Sequence, residues 1–489
     1  MHNHRKLLIF IIILACLVHA AVRIYDLDRA SFWCDESLTW WMSNWSLGTV
    51  ISAVLDVHPP LYFCLMGLWK QLFGSSEVAF RSVSTIFSIL TLVFVFLHAS
   101  ALNERKTIWI FPVVSLLFVF SPYDIHLSRF ARSFTMLMFV CTAFSYFYFK
   151  FVISGEKIYW TLSLPTGIAA VYTHHLALMY VPCAIVAGFL LKADRQTGLY
   201  ASWLGAIIAL SYIPWAIILP FQTIIKQFQY HYHSLGDISA ALILSLINPY
   251  PVGVIYSGLD NTFLKIAGLV LSVAAIIIVV SRIKQCWGNL WTRGLLIQSG
   301  LIALLISISP TPLFNERNLC IIFPSALLIL GYAIVTLPHT KLNYVGTAFI
   351  ACFVAVSLAG FPHSNRAPDW RSALKHVTEI NPAPQSTILL IRPVYEGPTL
   401  DYYCRKGVLA GDLSKTQRLG YGHSDVSKAI RQIFLSEKQV DEIIVLSSKW
   451  ADGRPDDLTR HADFVISEAK EFMALDFYRI RRNRSNTTN

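Results

Sequence analysis

Phe32-Trp33-Cys34-Asp35-Glu36 follows an N-terminal apolar run, near residues 7–24, by about a dozen residues, and leads through Trp40, Trp41 and Trp45 to His58-Pro59-Pro60. Carboxylates beside a bilayer are costly unless water, a partner or chemistry holds them there. The pair Asp35–Glu36 therefore reads as the catalytic face of an integral membrane enzyme, and the apolar runs around it decide the fold.

Of the 489 residues, 55% are hydrophobic and only 14% are charged. That balance puts most of the mass in lipid rather than in several soluble domains. The nine cysteines are scattered, several within apolar runs (Cys16, Cys141, Cys183, Cys352), without a spacing that suggests metal ligation or a disulfide framework. Residues 1–25 carry Arg5 and Lys6 ahead of an apolar stretch, like a signal peptide, but lack a clear small-x-small cleavage site. They read as an uncleaved first transmembrane helix. The net charge of +11 is spread over short loops and a mixed-charge tail, with no basic patch for nucleic acid.

A spanning helix needs roughly 20 apolar residues. About eleven spans are expected by that measure, near 7–24, 83–102, 107–122, 133–152, 158–173, 175–191, 199–219, 263–281, 294–309, 319–337 and 342–361. The run Leu61–Phe73 is short, carries Lys70 and Gln71 and follows two prolines, so it fits an interfacial helix. With the N-terminus inside, the cytoplasmic connections collect Arg105/Lys106, Lys157, Lys192/Arg195, Arg282/Lys284/Arg293 and Lys341, as the positive-inside rule requires. Asp35, Arg129, Arg132, His174, Arg317 and the C-terminal tail are then expected together on the opposite face. A spanning Leu61–Phe73 helix would invert every later loop and put the basic clusters outside.

After residue 361 long apolar runs stop and charged residues become frequent. The expected division is a transmembrane catalytic domain, 1–361, with a first external loop at 25–82, and a soluble extracytoplasmic α/β domain, 362–489. Within the latter Asp369 can cap a helix whose Trp370, Ala373, Leu374 and Val377 repeat at helical spacing, and Val426, Ile430, Ile433 and Phe434 mark a second. Runs at 387–391 and 442–446 and an alternating stretch at 472–480 read as strands. The last residues, 481–489, read as frayed.

Glycosyl transfer to a hydroxyl or amine needs a base for the acceptor proton and cationic or hydrogen-bonding groups for the leaving phosphate. Asp35 is the candidate base, with Glu36 orienting it or binding the acceptor; the competing reading makes the pair a solvated cluster or the N-cap of a helix over residues 37–45. Arginines on the translocated face run against the charge bias. Arg81, Arg129, Arg132 and Arg317 are candidate ligands for the donor phosphate, against headgroup snorkelling or a structural ion pair. His58, fixed by Pro59 and Pro60, is a fifth candidate. Tyr172-Thr173-His174-His175 interrupts two apolar runs, so His174 reads as cavity lining; adjacent histidines are poor metal spacing on a helix. Asp124 is either a second acid lining the cavity or a loop cap. Trp33, Trp40, Trp41 and Trp45 read as interfacial belt residues, with sugar stacking by one of them as a secondary role.

Phe32-Trp33-Cys34-Asp35-Glu36, His58-Pro59-Pro60-Leu61, Phe73-Gly74 and Ala79-Phe80-Arg81 resemble the first-loop signature of the bacterial branch of the protein O-mannosyltransferase and aminoarabinose transferase superfamily (glycosyltransferase family 39-like). Ser128-Arg129-Phe130-Ala131-Arg132, Thr173-His174, Asn315-Glu316-Arg317-Asn318 and Asp369-Trp370-Arg371 resemble its later landmarks, in order. The resemblance implies a GT-C fold: an all-α polytopic membrane protein with interfacial helices and a small C-terminal α/β soluble domain. It implies transfer of a sugar from a polyprenyl-phosphate carrier on the external face of the inner (plasma) membrane, with the essential acid of the first loop falling on Asp35. Relatives that carry lysine before the proline use it near the donor phosphate; here that residue is His58. Many relatives have tyrosine after the arginine of the late loop, where this chain has Asn318.

The expected partners are a polyprenyl-phosphate sugar donor, the bilayer and an extracytoplasmic glycan, lipid or protein acceptor, with no nucleic acid. No cofactor is expected; a divalent metal is compatible with the chemistry but not required by it. The alternative is a transporter or flippase of lipid-linked sugars, which needs the spans and the arginines but no base. A third class, a sensor or assembly protein, would act through its soluble tail.

Overall fold

The computed structural model describes residues 2–46, 48–49, 58–102, 109–192, 194–217, 262–308, 316–338, 342–360, 368–380, 382–383, 386–392, 397–406, 408, 416–418, 426–448, 464–472 and 475–483. Asn315, Arg105/Lys106, Lys341 and residues 484–489 lie outside them; Arg481 and Arg482, read above as the start of a frayed end, are instead paired in a strand. The chain divides into two compact units. One comprises Met1–Leu27 and Trp45–Ser364; the other joins Asp28–Asn44 to Asn365–Asn489.

Among the described residues the regular structure of the first unit is helical: α1 (His2–Ile24), α3 (Leu61–Phe73), α4 (Glu77–Ser100), α5 (Ile110–Val119), α6 (Pro122–Ser128), α7 (Phe134–Ser154), α8 (Lys157–Thr173), α9 (Ala177–Leu191), α10 (Arg195–Ala216), α11 (Thr262–Ser281), α12 (Ile283–Gly288), α13 (Leu290–Ile308), the 3-10 helix Glu316–Ile321, α14 (Phe323–Val335) and α15 (Leu342–Gly360). Among the described residues five helices are long and apolar enough to cross a membrane: Lys6–Ile24, Glu77–Ser100, Phe134–Ser154, Arg195–Ala216 and Leu290–Ile308. Four further apolar helices run 10–17 residues. The outward face of α1 is apolar: Ile9, Phe10, Ile13, Leu14 and Leu17 are exposed, whereas His19 and Arg23 are buried. An apolar exterior, with the few polar groups turned inward, is what a lipid solvent selects.

The helix α7 is buried on nearly every side and organises the bundle. Its C-cap Gly155 adopts φ +77, the left-handed conformation glycine takes at a helix end. A Cβ on Gly167 of α8 would lie 2.4 Å from Ile208 of α10 and 3.0 Å from Phe144 of α7, so its absence lets the helices close up. The helix α3 coincides with the stretch read as interfacial, and its 13 residues, about 20 Å long, fall short of a bilayer core.

The expected span 107–122 is broken. The helix α5 stops at Val119, and α6 starts from Ser121, whose hydroxyl caps the Asp124 amide, with Pro122 in its first turn and the axis bent by 57°. Proline in mid-helix would remove a backbone bond and clash with the preceding turn, so the chain restarts there instead. The run 319–337 is likewise divided, into the 3-10 turn and α14. Arg23 of α1 fills the first break. Its guanidinium donates to the Phe118 and Val119 carbonyls at the end of α5, at 3.2 and 3.0 Å, and to Asp124 Oδ2 at 2.5 and 2.9 Å. Ser88 Oγ donates to the same oxygen at 2.6 Å and lies 2.7 Å from His19 Nε2.

The second unit holds α2 (Cys34–Met42), α16 (Trp370–Glu379), α17 (Gly397–Arg405), α18 (Val426–Ser436) and a five-stranded sheet. Its strands are β1 (Thr387–Arg392), β2 (Thr416–Arg418), β3 (Glu442–Ser448), β4 (Phe464–Phe472) and β5 (Leu475–Arg482), in the order β2-β1-β3-β5-β4. The first three strands are parallel; β5 runs antiparallel to β3 and to β4. Asp369 caps α16 through the Ser372 amide, and Trp370, Ala373, Leu374 and Val377 are all buried, as their spacing requires. Ile430, Ile433 and Phe434 of α18 pack with Ile388, Leu390, Ile443 and Val445. The stretch 472–480 is not one strand: Phe472 ends β4 and pairs with Leu475 at the start of β5. Alternation continues across a hairpin when facing residues share one buried side, which hid the reversal.

Replacing Asp124 by leucine leaves the Arg23 guanidinium buried without its counter-ion and is expected to cost about 3–5 kcal/mol. Thermal unfolding of the purified protein measures this, and the double change Arg23→Met/Asp124→Leu is expected to restore most of the loss.

Candidate active site

The two acids stand in the first turn of α2, whose N-cap is Trp33 with no side-chain cap bond. Neither carboxylate is the cap residue; both lie inside the helix start, where the macrodipole favours negative charge. Asp35 is half-buried and Glu36 is buried.

In the first unit the arginines gather where helices end. Arg81 of α4 donates to the Leu27 carbonyl at 2.8 Å, and Arg129, just past α6, forks onto the Val22 and Tyr25 carbonyls at 3.0 and 2.6 Å. The last carbonyls of a helix have no intrahelical donors, and cations there also meet the negative end of its dipole. Asp26, at φ +58, turns the chain out of α1. Burial, then the charge of Arg23, pulls the Arg129 guanidinium down to about 10, with Asp26 opposing and Arg81 adding to the depression. Arg129 thus stays charged at neutral pH amid other cations.

The turn carrying Arg129 and Arg132 is stitched to α4. Ser84 Oγ donates to the Phe130 carbonyl and at 3.4 Å to that of Arg132, and Thr85 Oγ1 donates to that of Ser128 at 3.1 Å. Arg132 itself is buried. Arg317 lies in the 3-10 turn, half-buried, and its carbonyl accepts the Tyr123 hydroxyl at 3.2 Å, which sets it against α6. Asp124, on the same helix, is wholly buried with Oδ2 engaged by Arg23 and Ser88.

Two histidines with separate expected roles come together. The His58 ring lies 4.3 Å from that of His174, centroid to centroid, and 6.5 Å from that of His175. Phe134, two residues beyond Arg132, flanks His174 at 5.8 Å. His174 closes α8 in an extended conformation and accepts the Leu176 amide through Nδ1 at 3.2 Å, while His175 bonds the Tyr212 hydroxyl at 2.9 Å. Among the described residues no three His, Cys, Asp or Glu are arranged to hold a metal ion. The sequence reading missed Arg23, although an arginine inside an apolar run was signal enough to ask for its partner.

No protein-family model matches the sequence, and no curated protein sequence does. Solved structures do match in fold. ArnT from Cupriavidus metallidurans bound to undecaprenyl phosphate superposes with TM-score 0.58 at 12% identity, over 96% of this chain and 97% of that one. The archaeal oligosaccharyltransferase AglB from Archaeoglobus fulgidus, in complex with an inhibitory peptide and a dolichol-phosphate, gives 0.57 at 14%, over 99% of this chain and 75% of that one. The arabinofuranosyltransferase AftD from Mycobacteria gives 0.50 at 13%, over 97% of this chain and 41% of that one. The fold is the GT-C fold of a multi-pass membrane protein with a small mixed α/β unit.

Arg129→Lys keeps the charge but not the fork onto two carbonyls, and Arg129→Gln loses both. Losses of about 1.5–3 kcal/mol are expected for glutamine, less for lysine. Melting curves, with amide exchange at residues 21–27, check the order.

Proposed function

We infer that the protein is a membrane glycosyltransferase that moves a sugar, hexose or pentose, from a polyprenyl-phosphate carrier to an acceptor outside the cytoplasm. The observation that supports this reading is the buried Arg129 guanidinium, which Arg81 and Arg23 crowd, with Arg132 buried in the same turn, on a fold whose solved neighbours hold undecaprenyl phosphate and dolichol-phosphate. Buried guanidinium groups that crowd one another gain most from an anion, and a phosphate accepts bidentate bonds from them.

Asp35 is assigned as the base that takes the acceptor proton, with Glu36 orienting it. Arg129, Arg132, Arg317 and His58 are assigned to the departing phosphate, and Arg81 to holding the exit of α1. His174 backs His58 at ring-stacking distance, so an added proton on either imidazole favours an anion beside the pair. A single displacement at the anomeric carbon inverts its configuration. A divalent metal is not required by this scheme. The acceptor is a glycan, lipid or protein of the cell envelope, the membrane is the inner membrane, and the acid pair and the C-terminal unit are assigned to its outer side. Residues 1–361 supply the transmembrane part of the enzyme, apart from Asp28–Asn44, which fold with the soluble part in 362–489.

Asp35→Asn is expected to lower transfer by about 10²- to 10⁴-fold while the protein remains folded and in the membrane. Mass spectrometry of membrane extracts should show the lipid-linked donor accumulating, as in cells lacking the protein. A flippase would retain its product profile with asparagine at this position, and an unchanged profile overturns the assignment.

A further inference from the structure

The segment that carries the acid pair is too short to hold itself. The nine residues of α2 fall below the length of about 12–15 at which an isolated helix becomes even marginal in water. Its conformation must come from tertiary contacts, and within the second unit these can be named.

Upstream of the acids the contacts are polar. The Arg371 guanidinium donates to the Asp28 and Arg29 carbonyls, the latter at 2.8 Å, and the Arg371 amide donates to Ser31 Oγ at 3.1 Å. Ser31 Oγ in turn reaches Asp369 Oδ1 at 3.5 Å, the same carboxylate oxygen that caps α16. Next, the Phe32 amide donates to the Tyr403 hydroxyl at 2.7 Å, with both residues buried. The remaining contacts flank the acids and are aromatic. The ring of Tyr402 sits 4.7 Å from Phe32 and meets Trp40 edge-on at 5.2 Å, and Arg405 lies over Trp40 at 5.4 Å. Phe32 lies three residues before Asp35 and Trp40 five after it, so the helix start is held on both sides by α16 and α17.

We propose that Arg371 and Tyr403 are positioning residues for Asp35, and that the C-terminal unit is thereby part of the catalytic apparatus rather than an appended acceptor-binding module. The proposal rests on the assignment of Asp35 as base. Tyr403→Phe removes one hydroxyl and nothing else, so the Phe32 amide loses its acceptor while the aromatic packing of Tyr402 stays. Arg371→Lys keeps a cation near the Asp28 and Arg29 carbonyls without the planar fork, and Arg371→Ala removes both.

The test pairs amide hydrogen exchange on the full-length protein in lipid nanodiscs with the lipid-linked sugar profile of cells carrying the same variants. Exchange at residues 32–37 is expected to quicken by about five- to tenfold in Tyr403→Phe, the factor of one hydrogen bond. A larger increase is expected in Arg371→Ala and an intermediate one in Arg371→Lys. Exchange in β1 and β3 should stay as in the wild type, and donor should accumulate in the same order as the exchange rates. The proposal is overturned if residues 32–37 keep their protection, if they lose it while the sugar profile stays normal, or if β1 and β3 lose protection equally. Asp35→Asn run alongside separates the two claims: a normal profile there sinks the base assignment, while the exchange data still report whether α16 and α17 hold the helix.

Discussion

Asp124 accepts from both Arg23 and Ser88 at the point where an apolar run breaks between α5 and α6, and the first unit is arranged around that buried ion pair. A carboxylate and a guanidinium can share a membrane interior only when each satisfies the other and the remaining donors find carbonyls. Arg23 meets this condition by spending its other N–H groups on the Phe118 and Val119 carbonyls that end α5. The break is thus stabilised from α1, and α6 with the turn after it gains a fixed place beside α4. That turn carries Arg129 and Arg132.

The same logic, one helix end served by a cation from another element, recurs at the C-terminus of α1, where Arg81 and Arg129 take the carbonyls of Leu27, Val22 and Tyr25. These bonds qualify the simple picture of arginines waiting for a phosphate. Two of them brace the exit of α1, so for Arg129 the proposed binding role falls on a side chain that already has a structural one. An arginine has five donors, enough for both. In the second unit the acid pair receives corresponding treatment from Arg371 and Tyr403, which hold the chain just before α2.

Much of this was legible in the sequence, and for physical reasons. The long apolar runs that became α1, α4, α7 and α10 declare themselves because lipid demands uninterrupted apolar length. The helix at Trp370 follows from its Asp369 cap and its helical spacing, and the buried strand β3 from a short run rich in β-branched residues. The break at Ser121-Pro122 was visible as a proline, but its consequence depended on Arg23, about a hundred residues upstream. The hairpin within 472–480 was hidden because period-two alternation does not record a change of direction. Nor could spacing show that residues 28–44 fold with the C-terminal unit, since those bonds join residues more than 300 apart. At the site, the candidate residue types were legible, while the pairing of His58 with His174 was not, because nothing local links a Pro-flanked loop to the end of α8.

The central proposal is that Arg129, Arg132 and Arg317 hold the phosphate of a lipid-borne sugar donor. Native mass spectrometry of the purified protein titrated with undecaprenyl phosphate tests it most directly. The account predicts saturable one-to-one binding that survives Asp35→Asn and is weakened at least tenfold by removing the Arg132 and Arg317 guanidinium groups together. Binding of equal strength with both guanidinium groups gone would contradict it.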